Sequence, residues 1–290
     1  MFRDKWLEAV EEKNSVLCAG LDPAVYEMGR GPKGLPEGVD KREWSLDYVR
    51  KVAPYSAALK PNIQYWKGEG DAEALKEIIK EAHDLGMVVI EDSKLADIGS
   101  TNDAGFFYAS KRNVDAITFS PFAGNIKEAA EQGHKRGIGV ISMVLMSNPD
   151  YRREKNKLVN VSEEVEEYFK ADIKWLEKND GITPWVPQYI QLAHDAKKYG
   201  IDGIVIGAPS KKNHITNEEI EAVRRYVGDD MLVLLPGVGH QGGEADVIWK
   251  YFDKDNVIVN VGRAMMFPKE GTPETTAKYY RDMLNELRGV

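Results

Sequence analysis

Residues 87–102 read MVVIEDSKLADIGSTN, and this stretch decides the fold. Its first four residues are apolar, as in a strand that is buried on both faces, and charged residues follow where that strand would end. The segment before it, residues 71–86, has apolar residues at helical spacing and closes on a glycine, which is typical of a helix that leads into a strand. The stretch therefore predicts one unit of an alternating helix and strand architecture.

The same kind of apolar run, ending in polar residues or in glycine and proline, occurs eight times in the chain. The runs are SVLCAGLD (from Ser15), YSAALKPN (Tyr55), MVVIEDSK (Met87), AITFSPF (Ala116), IGVISMVLMS (Ile138), IDGIVIGAP (Ile201), MLVLLPGV (Met231) and NVIVNVGR (Asn256). Strands separated by helices within this length predict an α/β fold, a (β/α)8 TIM barrel that forms a single domain over residues 1–290. A doubly wound open sheet is the alternative, but no GxGxxG turn follows the first strand.

One interval is too long for a single helix. Between Ser147 and Ile201 the chain holds a basic stretch, an acidic amphipathic segment from Ser162 to about Asn179, and a further helical pattern around residues 188–199. We expect an inserted helical segment after strand five, covering about residues 148–187. It would lie on the face of the barrel where active sites are found.

Composition excludes several classes of partner. The 290 residues carry a net charge of −8, so no overall basic field would concentrate nucleic acid or an anionic membrane. The single Cys18 cannot form an intrachain disulfide, and neither a signal-type stretch nor a run of membrane-spanning length occurs. A cytoplasmic protein with no nucleic-acid or membrane partner is the expectation.

Charged side chains stand at the ends of four of these buried strands. A lone Lys or Asp there is more often solvated or ion-paired than catalytic, but strand ends in a barrel converge on one site, and a converging set shifts pKa values and suits proton transfer. Alternation along a strand also places residues 92 and 94 on the same face. The residues in question are Asp22, Lys60, Asp92, Lys94, Asp97 and Arg263.

Two further motifs could bind a ligand. PGVGHQGG, residues 236–243, and VGR, residues 261–263, could hold a phosphate, because glycines let backbone N–H groups approach an anion and an arginine can bind it through two hydrogen bonds. Taken in isolation, the PGVGHQGG motif could equally well be a tight turn. Ser147 in MSNPD could form hydrogen bonds with the polar edge of a ligand ring. Considered alone, the motif is more simply interpreted as an Asn-Pro turn.

The residues indicate neither a metal site nor a covalent serine mechanism. The five histidines have no ligand spacing, no GxSxG motif is present, and Cys18 lies inside an apolar strand, where an inert thiol is expected.

The string EDSKLADIGSTN, residues 91–102, resembles the DxKxxDI signature of the orotidine 5′-phosphate decarboxylases. LDP at residues 21–23, ALKPN with Lys60, SNP at residues 147–149, and the two glycine-containing motifs resemble other parts of that family across nearly the whole barrel. Related sugar-phosphate synthases and decarboxylases share DxKxxD. The DI-x-x-T continuation at residues 97–101 and the PGVGHQGG motif at residues 236–243 together favour the nucleotide enzyme.

The resemblance implies the activity and the roles of individual residues. The chain would decarboxylate orotidine 5′-monophosphate (OMP) to uridine 5′-monophosphate (UMP) without a cofactor, as a homodimer. Asp22 and Lys60 would hold ribose hydroxyls, Asp92 would face the substrate carboxylate, and Lys94 would protonate C6. The other implied site residues are Asp97, Ile98 and Thr101, which would reach the partner's site, Ser147 on the pyrimidine, and Pro236, Gln241, Gly242, Gly262 and Arg263 around the phosphate.

Three alternatives remain open from the sequence. The first is a superfamily decarboxylase or synthase acting on a keto sugar phosphate, which normally needs Mg²⁺. The second is a class I aldolase with Lys60 or Lys94 as a Schiff base. The third is a nucleotide-binding barrel without catalytic activity.

Overall fold

The structure is a computed structural model that describes residues 1–161, 166–178, 181–210, 213–238 and 245–290. Eleven strands occur in these ranges, and all but three of them form the barrel. The bounds are β1 Leu17–Leu21, β2 Ala58–Pro61, β3 Val88–Leu95, β4 Ala116–Phe119, β5 Gly139–Leu145, β6 Leu158–Asn160, β7 Lys174–Lys178, β8 Gly181–Pro187, β9 Gly203–Ile206, β10 Leu232–Pro236 and β11 Val257–Val261.

Eight parallel strands close into a barrel in the order β1, β2, β3, β4, β5, β9, β10, β11. The last strand returns to the first, with Leu17 of β1 opposite Val259 of β11. Each of the eight apolar runs corresponds to one of these strands, with β3 ending one residue beyond its run, so the predicted α/β barrel is confirmed. The runs are apolar throughout because the strands contact other strands, the barrel interior and the surrounding helices at once.

Helices surround this barrel. Those in the described ranges are α1 Phe2–Lys13, α2 Lys41–Val52, α3 Asp71–Asp84, α4 Gly99–Lys111, α5 Ile126–His134, α6 Tyr151–Lys155, α7 Glu166–Phe169, α8 Gln188–Lys198, α9 Asn217–Val227, α10 Arg263–Met266 and α11 Pro273–Arg288. The apolar side of α3 is buried against the barrel, as its helical spacing requires. Within these ranges, no helix is both long enough and apolar enough to span a bilayer.

The segment between β5 and β9 contains more than helices. Short helices α6 and α7 occur, but the largest unit is an antiparallel sheet in the order β6, β8, β7. The described part of the acidic amphipathic segment is helical at α7 and then forms strand β7, while residues 162–165 and 179–180 lie outside the described ranges. Val186 of β8 is fully buried. Tertiary packing of this hairpin therefore overrides the helical pattern of the local sequence.

Backbone hydrogen bonding connects the ends of the first three strands. The amide of Asn62 donates to the carbonyl oxygen of Leu21 at 3.1 Å, and Asn62 forms a bridge with Asp92 of β3. β3 is the longest strand of the barrel, and its pairing with β4 shifts register between Glu91 and Leu95. These contacts place the polar ends of β1, β2 and β3 at one mouth of the barrel.

Candidate active site

The carboxylate of Asp92 is the centre of a charged cluster at the barrel mouth. Its Oδ2 atom accepts a hydrogen bond from the Lys60 ammonium, and its Oδ1 atom lies 2.5 Å from Nζ of Lys94. The hydroxyl of Thr118, on β4, donates to the same Oδ1 at 3.0 Å. Asp92 and Lys60 are both buried, whereas the Lys94 side chain is about half exposed. One buried carboxylate is therefore held between two ammonium groups, of which one is open to a ligand.

The backbone at Lys94 departs from a regular strand. Its φ angle is 44°, in the left-handed region that non-glycine residues seldom adopt. Its amide donates to the Thr118 hydroxyl at 2.9 Å instead of continuing the ladder. The prediction that residues 92 and 94 meet is confirmed, but a strand irregularity, in addition to simple alternation, aims the lysine at Asp92.

Burial and charge act in opposite directions on this cluster. Burial disfavours the ionised form of Asp92, but the ammonium groups of Lys60 and Lys94 outweigh it and hold the pKa of Asp92 well below its usual range. Burial likewise opposes the charged form of Lys60, yet Asp92 and Asp22 raise the net pKa of this lysine. At neutral pH Asp92 is therefore an anion and Lys60 a cation.

Asp22 directly follows β1 and completes the group. Burial raises its pKa, while Lys60 favours its ionised form and Asp92 disfavours it. The side chain of Asn62 also favours the ionised form of Asp22 and so lowers its pKa. Within the described ranges, no three His, Cys, Asp or Glu side chains are grouped as a metal site would require.

A cleft of about 140 Å³ opens beside Asp22. Gly20 and Gly262 allow the ends of β1 and β11 to approach there, because a Cβ atom on Gly20 would lie only 2.8 Å from Cα of Gly262. Arg263 is exposed at the start of α10. Gln241 and Gly242 lie outside the described residues. The lining residues are Asp22, Pro236, Gly237, Val238, Asn260, Val261, Gly262, Arg263 and Ala264.

The remaining predicted residues follow the strands β3 and β5. Asp97 accepts a hydrogen bond from the amide of Ile98 at 2.8 Å, and within the described part of the chain its carboxylate does not pair with Lys60 or Lys94. Ile98 and Thr101 are exposed at the start of α4. Ser147 follows β5 and is half-buried. One chain thus brings together Asp22, Lys60, Asp92 and Lys94 but not Asp97.

Comparison with known families matches residues 15–280 to the family described as Orotidine 5′-phosphate decarboxylase / HUMPS. The chain belongs to this family. It is 28% identical over 302 residues to the orotidine 5′-phosphate decarboxylase of Bordetella pertussis, with 99% of each chain covered. The protein of the same name from Cupriavidus metallidurans is also 28% identical, over 92% of this chain and 89% of that one.

Solved structures share the family fold. A crystal structure described as a putative orotidine-monophosphate decarboxylase from Toxoplasma gondii superposes with a TM-score of 0.77 at 21% identity and covers 99% of this chain and 95% of its own. OMP decarboxylase from Leishmania donovani gives a TM-score of 0.73 at 22% identity, over 98% of this chain and 99% of that one. At sequence identities this low, the structural similarity is evidence for a shared fold alone.

Three polar residues at this family member's site escaped the sequence analysis. Thr118 bonds to Asp92 and Lys94, Asn62 favours the ionised form of Asp22, and Asn260 lines the cleft. A signal was present for two of them, since Thr118 is the only residue of β4 with a hydrogen-bonding side chain and Asn62 stands two residues after Lys60. Polar residues inside otherwise apolar runs carry the same information as charged ones.

Proposed function

We propose that this chain decarboxylates OMP to UMP, with Lys94 as the proton donor to C6. The observation that carries the proposal is the placement of the anionic Asp92 between Lys60 and Lys94. Family membership and the names of the relatives in Bordetella and Cupriavidus support the same reaction.

The chemical difficulty is the electron pair left on C6. As the bond between C6 and the carboxyl carbon breaks, carbon dioxide leaves and the pair stays on C6, which the pyrimidine carbonyls are not placed to delocalise. Lys94 would then transfer a proton from Nζ to C6 and become a neutral amine. An ammonium about 4 Å from the developing charge stabilises it by about 4 kcal/mol at an effective dielectric constant of about 20.

Asp92 would act on the substrate carboxylate. Two anions in a buried site repel each other, and this repulsion is relieved when the substrate carboxylate leaves as neutral carbon dioxide. Binding of the remote phosphate would supply the free energy that holds the substrate there. Because Lys60 and Lys94 keep the pKa of Asp92 low, the residue stays charged when the substrate binds.

The rest of the substrate would occupy the neighbouring groups. We assign the ribose hydroxyls to Asp22 and Lys60 and the pyrimidine edge to Ser147. The phosphate would bind in the cleft beside Asp22, where an arginine and backbone groups meet an anion favourably. The residues that bind the phosphate would be Pro236, Gly262 and Arg263, together with Gln241 and Gly242.

We also propose a cytoplasmic homodimer of single-domain chains, each with an insertion at about residues 148–187. An exposed stripe along α4 supports the dimer, because Ile98, Thr101 and Tyr108 follow one another at helical spacing with Phe107 beside them. Ile98 is 59% exposed and Tyr108 61% exposed, and a contiguous exposed apolar patch is the kind of surface that binds another protein. In the dimer Asp97, Ile98 and Thr101 would contact the substrate of the partner.

Loss of orotidylate absorbance in a metal-free assay with a chelator tests the reaction. Turnover under these conditions is the expected result. Activity only with Mg²⁺ and a keto sugar phosphate would instead identify the other branch of the family. A Schiff base on Lys60 is disfavoured, because that chemistry needs a neutral amine and the pKa of Lys60 is raised.

A further inference from the structure

The loop after β5 touches the loop after β9 at Gly207. The amide of Gly207 donates to the carbonyl oxygen of Leu145 at 2.7 Å. A Cβ atom on Gly207 would lie 2.7 Å from Cβ of Ser147 and 2.9 Å from its backbone nitrogen, closer than real Cβ atoms approach other atoms. The backbone position of Ser147 therefore depends on the absence of a side chain at residue 207.

His214 makes a second contact between the same two loops. Its Nε2 atom lies 2.9 Å from the carbonyl oxygen of Asn148, the residue after Ser147. A carbonyl oxygen only accepts hydrogen bonds, so Nε2 carries the proton and donates it. The ring also lies beside Tyr151, whose buried hydroxyl donates to the carbonyl oxygen of Val144 in β5 at 2.7 Å. The segment that carries Ser147 is thus held at both ends.

Lys155 joins these contacts to the helix layer. It ends α6, is only 2% exposed, and donates to the carbonyl oxygen of His214 at 2.7 Å. Its Nζ atom lies 2.5 Å from Oε1 of Glu219, which also accepts a hydrogen bond from the amide of Thr216 in the capping box of α9. Because an unpaired buried charge costs several kcal/mol, the ammonium remains with these partners and keeps α6, the His214 loop and α9 together.

We propose that Gly207, His214 and Lys155 are positioning residues that fix Ser147 at the pyrimidine ring. This inference rests on the proposed function, in which Ser147 contacts that ring. The three residues act through the loop of Ser147, and among the described contacts none of them bonds directly to a lining residue of the cleft beside Asp22. The amide of Ala208, next to Gly207, does donate to the carbonyl oxygen of Pro236 at 2.9 Å. We therefore expect the three residues to set the affinity for the base far more than the affinity for the phosphate.

The test compares two ligands that differ by the base. Dissociation constants of UMP and of ribose 5-phosphate are measured for wild type, Lys155→Met and Gly207→Ala. We expect both variants to bind UMP about tenfold more weakly, as for one lost hydrogen bond, and ribose 5-phosphate within about twofold of wild type. Lys157→Met is the matched control, since Lys157 lies two residues away, is exposed and pairs with Glu154. It should bind both ligands as wild type does.

A double-mutant cycle with Ser147→Ala gives a readout that general destabilisation would not produce. In the Ser147→Ala background, Lys155→Met should have little further effect on UMP affinity, because the contact that it positions is already absent. Equal losses for UMP and ribose 5-phosphate, unchanged UMP affinity in a folded variant, or additive effects in the cycle would overturn the inference. So would failure of both variants to fold, since the contacts would then serve the fold alone. Absence of orotidylate turnover by wild type would reject the proposed function, and this inference with it.

Discussion

The Nζ atom of Lys94 lies 2.5 Å from Oδ1 of Asp92, although a single residue separates the two in the chain. A left-handed backbone conformation at Lys94 and a register shift in β3 direct the lysine toward the carboxylate. Local strain of this kind persists only where surrounding contacts maintain it. Thr118 provides such contacts, because its hydroxyl bonds to the Asp92 carboxylate and accepts the Lys94 amide.

Lys94→Ala should abolish turnover and leave UMP binding measurable, because it removes the proposed proton donor and leaves the cleft beside Asp22 intact. Lys94→Arg is the matched variant, since it keeps a positive charge but is a poor proton donor, and we expect it to be nearly inactive as well. Steady-state kinetics and UMP titration provide the measurements. Lys94→Ala that retains more than a few per cent of wild-type activity would contradict the assignment.

Thr118→Val should lower kcat about tenfold while UMP affinity changes by less than about threefold, because the substitution keeps the shape and removes the hydroxyl that holds Asp92 and Lys94. Ser142→Ala is the control. Ser142 is equally buried on the adjacent strand β5, and its hydroxyl bonds to no described atom. If both variants lost the same fraction of kcat, the role of Thr118 in alignment would be refuted.

Mixing Lys94→Ala subunits with Asp97→Ala subunits should restore activity that neither variant has alone. In a mixed dimer with shared sites, both lesions fall in one site and the other site is intact. Activity after subunit exchange is the measurement, with each variant incubated alone as the control. No recovery despite demonstrated exchange would rule out the contribution of Asp97 to the partner's site.

Arg263→Ala should reduce kcat/KM for OMP by about a hundredfold or more, and hardly change it for the nucleoside orotidine, which has no phosphate to lose. The reason is that Arg263 lines the cleft beside Asp22 at the end of β11. Measuring both substrates on both proteins isolates the phosphate contribution. An equal fractional loss for the two would mean that Arg263 is structural.

Asp92→Asn should remove a contribution to stability that depends on pH. Folding lowers the pKa of Asp92 from its ordinary value of 3.8, since the two lysines outweigh the effect of burial. A lowered pKa contributes stability above the unfolded-state value, and the contribution is lost as pH falls through the folded-state value. The difference in free energy of unfolding between wild type and Asp92→Asn should therefore be constant above about pH 5 and shrink below about pH 4. Denaturant titrations at each pH measure it, and a difference that stays constant into acid would contradict the pairing.

The site could be predicted only in part from the sequence. Lys60, Asp92 and Lys94 stand out because charge at the end of a buried strand is costly unless it is paired, and the structure pairs them. Asn62, Thr118 and Asn260 were not predicted because the prediction rested on charged residues, although neutral polar residues in apolar runs give the same kind of signal. Asp97 belongs to the same motif as Asp92, but the role proposed for it requires a second chain, which one sequence cannot position.

By itself the sequence determined the barrel and the identity of the charged residues at its mouth. The reason is that the hydrophobic pattern of each apolar run already indicates a buried strand. Only the tertiary structure decided how those residues meet. The left-handed turn at Lys94, the close approach of Gly20 to Gly262, and the hairpin of β7 and β8 in place of a longer helix all arise from contacts between distant segments. Such contacts outweigh local preferences, which differ by about 1 kcal/mol or less per residue.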